Sequence, residues 1–181
     1  FRSQGRVIYD ADADYGGWWF CCFPYVFVQE NDVLPFFIHC DDVEYGLRCG
    51  KKPIIIEGVQ VWHETYDKRM TPLMQYYDTR NPLFVNQLYG FLPEPLQLLR
   101  QWKDKMTAFH VKGDWLSEYY VILAMNDFLK GMGWLKRIDA GKYHKKLQKA
   151  KSCKVKNAIC WRLVEHRAKK KFMVHKNNCS G

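Results

Sequence analysis

Two neighbouring carboxylates, Asp41 and Asp42, directly follow an apolar run, Phe36–Ile38, in the sequence FFIHCDDVEYGLRCG. Because such a run belongs in a protein interior, its end places both acids at the edge of a core. A carboxylate in that position can remove a proton from a bound hydroxyl group, which is general base catalysis. It can also simply begin a helix.

The helix interpretation rests on the residues around the pair. Asp41 suits an N-cap, and Glu44, three residues later, completes a capping box. The pattern predicts a short amphipathic helix from about residue 42 to 49, which Gly50 ends. A cap needs one acid only, and a second one gains about 0.3 to 1 kcal/mol from the helix dipole. Capping and catalysis therefore both stay open for the pair.

Three further side chains could take part in such a site. The segment GGWWF contains Trp18 and Trp19. Since adjacent residues of a strand face opposite sides, one tryptophan could pack in the core while the other lines a cleft. His63, in GVQVWHE, stands at the end of a short β-rich segment. Each residue type is common, but this order of indole, paired acids and imidazole narrows the choice of function.

The elements that would position these residues fall into two parts. Residues 1 to about 35 are rich in aromatic residues and have extended character, and PIIIEG and VQVWH have the composition of two short strands. From Thr71 onward helical patterns dominate, with Asp114 as the expected cap of the helix that begins at WLSEYY. The sequence therefore predicts an α/β part over residues 1–90 and a helical, basic region over residues 91–181.

Composition excludes several classes of protein. With 181 residues, 48% of them hydrophobic, the chain can bury one core and a smaller appendage, so it is a folded protein. It contains no run of 18 apolar residues and no signal-peptide pattern, which predicts a soluble cytoplasmic protein, able to work at the inner face of the cell membrane. The seven cysteines include no C-x-x-C pair, which predicts reduced thiols.

Positive charge is concentrated near the C-terminal end. Residues 136–181 hold 15 lysines and arginines against two acids, whereas the first 135 residues hold 13 basic and 17 acidic residues. Basic residues interleaved with apolar ones, such as Ile159 and Leu163, suit an anionic membrane surface. They also suit nucleic acid, or a helical face that is simply solvated.

Four sequence elements, taken in order, resemble the C-terminal half of the catalytic domain of family 2 glycosyltransferases of the galactofuranosyltransferase and rhamnosyltransferase type. They are GGWWF, DDVEYGLR, VWHE and YYDTRN, and together they cover roughly residues 15 to 90. The resemblance implies a GT-A fold. It also implies an inverting transfer of galactofuranose or rhamnose from a nucleotide-sugar to a cell-surface glycan or a lipid-linked acceptor.

The resemblance also implies roles for the acids and the histidine. Asp42 would act as general base on the acceptor hydroxyl, and Asp41 would help to position acceptor hydroxyls. His63 would be a ligand of a divalent metal, Mn²⁺ or Mg²⁺, that neutralises the leaving diphosphate.

On the acceptor side, the resemblance implies contacts from Trp18 and Trp19, and from Arg80 in YYDTRN. A GT-A enzyme carries its nucleotide-binding strands and its Asp-x-Asp motif before the tryptophan pair, so we expect the donor-binding half to be missing here and the isolated chain to be inactive. The alternative is a non-catalytic module that holds a glycan or a partner protein through the tryptophans, with its basic tail on a membrane or nucleic acid. For the enzyme, we expect peripheral membrane contact and do not expect nucleic acid as a partner.

Overall fold

The computed structural model describes residues 13–54, 61–62 and 71–173. Helices make up 64% of these residues, and no strand occurs among them. The predicted α/β fold, with a GT-A-like first part, is therefore wrong, and the described chain is helical. It divides into two units, Phe1–Met70 and Thr71–Gly181. The predicted division at residue 90 concerned the end of a catalytic domain, and it stays a prediction.

The first unit contains α1 (Tyr25–Glu30) and α2 (Asp41–Cys49). The sequence of α1, YVFVQE, is rich in β-branched and aromatic residues, which is why extended structure was expected there. Packing overrides that preference, since the Phe27 ring lies edge-on against Tyr45 of α2 with ring centroids 4.9 Å apart. The two predicted strands lie mostly outside the described residues, and their described parts, residues 53–54 and 61–62, are not strands.

Helix α2 confirms the prediction of a short helix that ends at Gly50. Gly50 has a left-handed conformation, with φ of 63°, and its backbone N–H donates to the carbonyl oxygen of Leu47 at 3.1 Å. A glycine adopts this conformation without the steric penalty of a Cβ atom, which makes it a common helix terminator.

The second unit is built, within the described range, from six helices: α3 (Met74–Leu88), α4 (Pro95–Val111), α5 (Trp115–Leu129), α6 (Met132–Leu135), α7 (Ala140–Leu147) and α8 (Lys154–Met173). Helix α5 is central, because α3, α4 and α8 all pack against it. The predicted cap of α5 is confirmed, since Asp114 Oδ1 accepts from the Ser117 backbone N–H at 3.0 Å. Phe128 of α5 packs edge-on against Phe84 and Trp102, at centroid distances of 5.2 and 6.1 Å.

A buried polar cluster joins α3, α5 and α7. Its centre is Asp127, which is 0% exposed. The hydroxyls of Tyr76 (2.8 Å) and Tyr143 both donate to Asp127 Oδ2, and Lys130 Nζ donates to Oδ1 at 2.5 Å. Three donors compensate the cost of burying the charge. No helix in the described parts of the chain is long and apolar enough to cross a membrane.

Candidate active site

The paired carboxylates lie in the first turn of α2, directly after a strained segment. Phe37, His39 and Cys40 have φ angles of 75°, 64° and 64°, a left-handed conformation that costs about 1–2 kcal/mol for residues with a side chain. Cys40 is the N-cap of α2, and within the described residues no side chain caps the helix. The predicted cap by Asp41 is therefore wrong. Strain of this kind clusters at active sites, which favours a functional role for the acids that it positions.

Glu44, the other half of the predicted capping box, has a different partner. It is 2% exposed and pairs in a bidentate manner with Arg48, whose Nε and Nη2 lie 2.9 and 3.1 Å from its two carboxylate oxygens. Arg48 also donates from Nη2 to the carbonyl oxygen of Asp32 at 2.8 Å. These contacts fix α2 to the chain before it. Neither Asp41 nor Asp42 has an ion-pair partner in the described part of the chain.

The two oxygens of the half-buried Asp42 side chain have different surroundings. Oδ1 accepts a hydrogen bond from the Val43 backbone N–H at 2.8 Å. Oδ2 lies beside Gly17, since a methyl group on Gly17 would be 3.8 Å from it. The segment GGWWF therefore passes next to the predicted general base. Asp41 is also half-buried, and its carboxylate accepts no hydrogen bond from the described residues.

The two tryptophans differ in burial. Trp18 is half-buried and packs edge-on against Phe23 and Tyr45, with ring centroids 6.0 and 5.4 Å apart. Trp19 is 48% exposed. The pair lies in a turn, so strand alternation is the wrong explanation for a difference that the structure nevertheless shows. The indole Nε1 of Trp18 is buried and has no hydrogen-bond partner among the described residues.

Sequence reasoning missed two residues beside Asp42. Tyr15 is 42% exposed, and the partial burial of its phenol, followed by the negative charge of Asp42, raises its pKa. Burial and then the thiols of Cys22 and Cys49 raise the pKa of Cys21, with a smaller contribution from Asp42. Both groups therefore stay protonated at neutral pH. The only sequence signal for Tyr15 is that it directly precedes the glycine pair of GGWWF.

The other two predicted site residues have different locations. His63 lies outside the described residues, so its role as a metal ligand stays a prediction. Arg80 belongs to α3 and is 1% exposed; its Nε donates to Asn81 Oδ1 at 2.8 Å and its Nη1 to the Tyr76 hydroxyl at 3.1 Å. Its guanidinium group also lies over the rings of Tyr76 and Tyr77, 5.0 and 5.4 Å from their centroids. These contacts stabilise α3, and acceptor binding by Arg80 stays a prediction.

The described residues do not form a metal site by themselves. No group of three His, Cys, Asp or Glu side chains in residues 13–54, 61–62 and 71–173 is arranged to hold an ion. The cysteines of these ranges are free thiols, as the sequence predicted.

Comparison with known proteins identifies relatives of this chain. It is 34% identical over 130 residues to galactofuranosyltransferase GlfT2 of Mycolicibacterium smegmatis, covering 66% of this chain and 19% of that protein. It is 33% identical over 143 residues to galactofuranosyltransferase GlfT2 of Mycobacterium tuberculosis, covering 72% of this chain and 22% of that protein. The chain is related to glycosyltransferases.

That relationship confirms the resemblance at the level of glycosyltransferases. The chain spans about a fifth of the length of the curated relatives that it matches. No family model matches the chain, and no solved structure matches it.

Proposed function

We propose that this chain forms the acceptor side of a galactofuranosyltransferase, with Asp42 as the general base. One observation carries the proposal: the Asp42 carboxylate has no ion-pair partner in the described part of the chain, and it lies beside Gly17 in the segment that bears Trp18 and Trp19. The relationship to two galactofuranosyltransferases supplies the type of reaction.

The proposed step is a single displacement with inversion. The acceptor hydroxyl oxygen attacks the anomeric carbon of the donor sugar while its proton passes to Asp42 Oδ2. The bond from the anomeric carbon to the diphosphate oxygen breaks, and the nucleoside diphosphate leaves with the electron pair. A sugar hydroxyl is a weak nucleophile, and general base catalysis of this type contributes about 10²- to 10⁴-fold in rate.

The neighbouring side chains would bind the acceptor glycan. Trp19, with its exposed indole, would stack on the apolar face of a sugar ring. Trp18 would line the same site with its half-buried ring, and Asp41 would accept from sugar hydroxyls. The substrates would be a nucleotide-linked galactofuranose, or a nucleotide-linked rhamnose, and a glycan or lipid-linked acceptor.

The proposal includes a divalent cation, Mn²⁺ or Mg²⁺, with His63 as one of its ligands. Such an ion would neutralise charge on the leaving diphosphate. No group of three His, Cys, Asp or Glu side chains among the described residues is arranged to hold it.

The outer face of α8 supports peripheral membrane contact. Val155, Ile159 and Leu163 are spaced four residues apart and are 69%, 55% and 54% exposed, so they form an apolar stripe along the helix. Exposed Arg162 and Lys170 lie beside the stripe. A basic helix with an exposed apolar stripe suits an anionic lipid surface, which would bring the enzyme to a lipid-linked acceptor.

A transfer assay tests the proposed function. The natural polypeptide that contains this chain is incubated with a galactofuranose-containing oligosaccharide and either nucleotide-linked galactofuranose or nucleotide-linked rhamnose, with and without Mn²⁺ and a chelator. We expect a product that is one sugar longer, with inverted configuration at the transferred anomeric carbon. No product from either donor would contradict the enzyme proposal.

A second function is favoured by the exposure of Trp19, which suits glycan binding without catalysis. In that case the natural polypeptide would bind the oligosaccharide and transfer no sugar, and Asp42→Asn would leave its affinity unchanged.

Binding to anionic vesicles rather than to RNA would support the membrane role of α8 under either function, and the reverse result would contradict it.

A further inference from the structure

Gly46, in the middle of α2, lies directly under Tyr15. Gly46 is buried, and a methyl group on it would be 2.7 Å from Tyr15 Cβ and 3.5 Å from Tyr15 Cα. The first distance is far shorter than a carbon–carbon contact allows. Both opposing atoms belong to the backbone or lie next to it, so no side-chain rotation could relieve the clash.

The conformation of α2 does not explain this glycine. Gly46 is absent from the glycines with positive φ, so an alanine could adopt its backbone angles. A glycine inside a helix costs about 0.5–1 kcal/mol relative to alanine. The close approach of Tyr15 is therefore the feature of the structure that requires a residue without a side chain here.

The segment that contains Tyr15 follows one face of α2. Asp42 and Gly46 are four residues apart and so lie on the same face of the helix. Tyr15 lies against the helix at Gly46, and a methyl group on Gly17 would be 3.8 Å from Asp42 Oδ2. The segment 15–17 thus docks on α2 at Gly46 and passes near Asp42, and the tryptophan pair follows immediately after it.

We propose that Gly46 is a positioning residue, whose missing side chain lets the segment 15–17 dock on α2 and so holds Trp18 and Trp19 beside Asp42 for an acceptor sugar. This inference rests on the proposed function, since it assigns Gly46 to the acceptor side of the same site. A methyl group at Gly46 would lift the segment away from α2. The acceptor hydroxyl would then be misplaced relative to the base, and an error of about 1 Å can reduce the rate about 10²-fold.

The experiment compares Gly46→Ala with Gly141→Ala in the natural polypeptide. Gly141 lies in α7, and a methyl group there would meet only Asp139 Oδ1 at 3.6 Å, an ordinary contact. We expect Gly46→Ala to lower kcat/KM for the acceptor at least about 10-fold, with the KM for the donor and the circular dichroism spectrum unchanged. Gly141→Ala should keep wild-type kinetics. Wild-type acceptor kinetics in Gly46→Ala would overturn the inference.

A second variant covers the case in which Gly46→Ala does not fold. Tyr15→Gly removes the atom that the methyl group would strike, so the double variant Tyr15→Gly with Gly46→Ala should fold and recover acceptor turnover relative to Gly46→Ala. Failure of this rescue would overturn the inference.

A separate readout distinguishes failure of the inference from failure of the proposed function. If the wild-type polypeptide transfers no sugar, the proposed function fails, and the docking is judged by acrylamide quenching of tryptophan fluorescence. Quenching of the Trp18 component, obtained by difference from Trp18→Phe, should rise in Gly46→Ala. An unchanged value would overturn the inference.

Discussion

Asp42 in the first unit and Asp127 in the second are both helical aspartates, but their surroundings are opposite. Asp127 is 0% exposed and accepts hydrogen bonds from Tyr76, Tyr143 and Lys130. Asp42 is half-buried and accepts from the described residues only the backbone N–H of Val43. The Asp127 carboxylate therefore accepts three hydrogen bonds, whereas the Asp42 carboxylate accepts one from the described residues.

Burial alone therefore does not make an acid a candidate base. Burial raises the pKa of Tyr76 and the pKa of Tyr143, so both phenols stay protonated and keep donating to Asp127. Asp42 has no such set of donors among the described residues, and the side-chain contacts that hold α2 come from Glu44 and Arg48 instead.

Asp127→Asn should have the largest effect on stability. The amide Nδ2 cannot accept from tyrosine hydroxyls or from an ammonium group, so buried donors lose their partner, at an expected cost of about 3 kcal/mol in the free energy of unfolding. Urea denaturation measures this loss. The control is Asp139→Asn, at the exposed N-cap of α7, where asparagine caps as well as aspartate and stability should change little.

Equal stability of Asp127→Asn and Asp139→Asn would remove the contrast between a structural and a catalytic aspartate. Glycan affinity also separates the two roles, because Asp127→Asn should leave the oligosaccharide affinity of the folded protein unchanged.

The tryptophan pair provides the next test within the first unit. Trp18→Ala should lower the free energy of unfolding by about 2 kcal/mol, because it removes edge-on contacts with Phe23 and Tyr45. Trp19→Ala removes a side chain that is 48% exposed, so it should weaken oligosaccharide binding at nearly unchanged stability. Denaturation and calorimetric titration measure the two effects. Weaker oligosaccharide binding in Trp18→Ala together with lower stability in Trp19→Ala would contradict the proposed acceptor site.

The smallest expected effect is the pH dependence at His144. Burial lowers the pKa of His144, whose Nδ1 lies 2.9 Å from the Tyr77 hydroxyl. Since burial also raises the pKa of Tyr77 to about 12, the phenol keeps its proton and can donate to the neutral ring. The unfolded chain, in which histidine titrates near its usual pKa of about 6.5, takes up a proton more readily than the folded chain.

Stability from His144 is therefore fully present above about pH 6.5 and is lost as the pH falls through the lower folded pKa. Urea midpoints at about pH 7.5 and about pH 5 should differ more in the wild type than in His144→Gln. His166→Gln, at an exposed position of α8, should behave like the wild type. An identical pH dependence of the urea midpoint in the wild type and both variants would contradict the contribution of His144.

Local signals in the sequence were sufficient to predict the end of α2 and the cap of α5. Gly50 and Asp114 act on their own helix ends, so their effect can be predicted from neighbouring residues. The N-cap of α2 was predicted wrongly as Asp41, because a left-handed Cys40 has no sequence signature and depends on the surrounding fold. The same holds for α1, where packing on Tyr45 overrides β propensity.

The site was only partly accessible to sequence reasoning. The order of the tryptophan and aspartate motifs indicated a glycosyltransferase relationship, which the comparisons confirm. Arg80 was assigned to the acceptor side through the resemblance of YYDTRN, and the sequence alone did not show that its guanidinium group stacks on Tyr76 and Tyr77, the tyrosines one turn before it on α3. The contact between Tyr15 and Gly46 spans 31 positions of the sequence, and its only local signal is a glycine inside a helical pattern.

Asp42→Asn in the natural polypeptide tests whether Asp42 is the general base. Asparagine keeps the size of the side chain and cannot act as a base, so sugar transfer should fall about 10²- to 10⁴-fold, while oligosaccharide affinity, donor affinity and the unfolding midpoint stay near wild type. Transfer assays and titration on the same preparation give all four values. Wild-type turnover in Asp42→Asn would contradict the assignment of Asp42 as the general base.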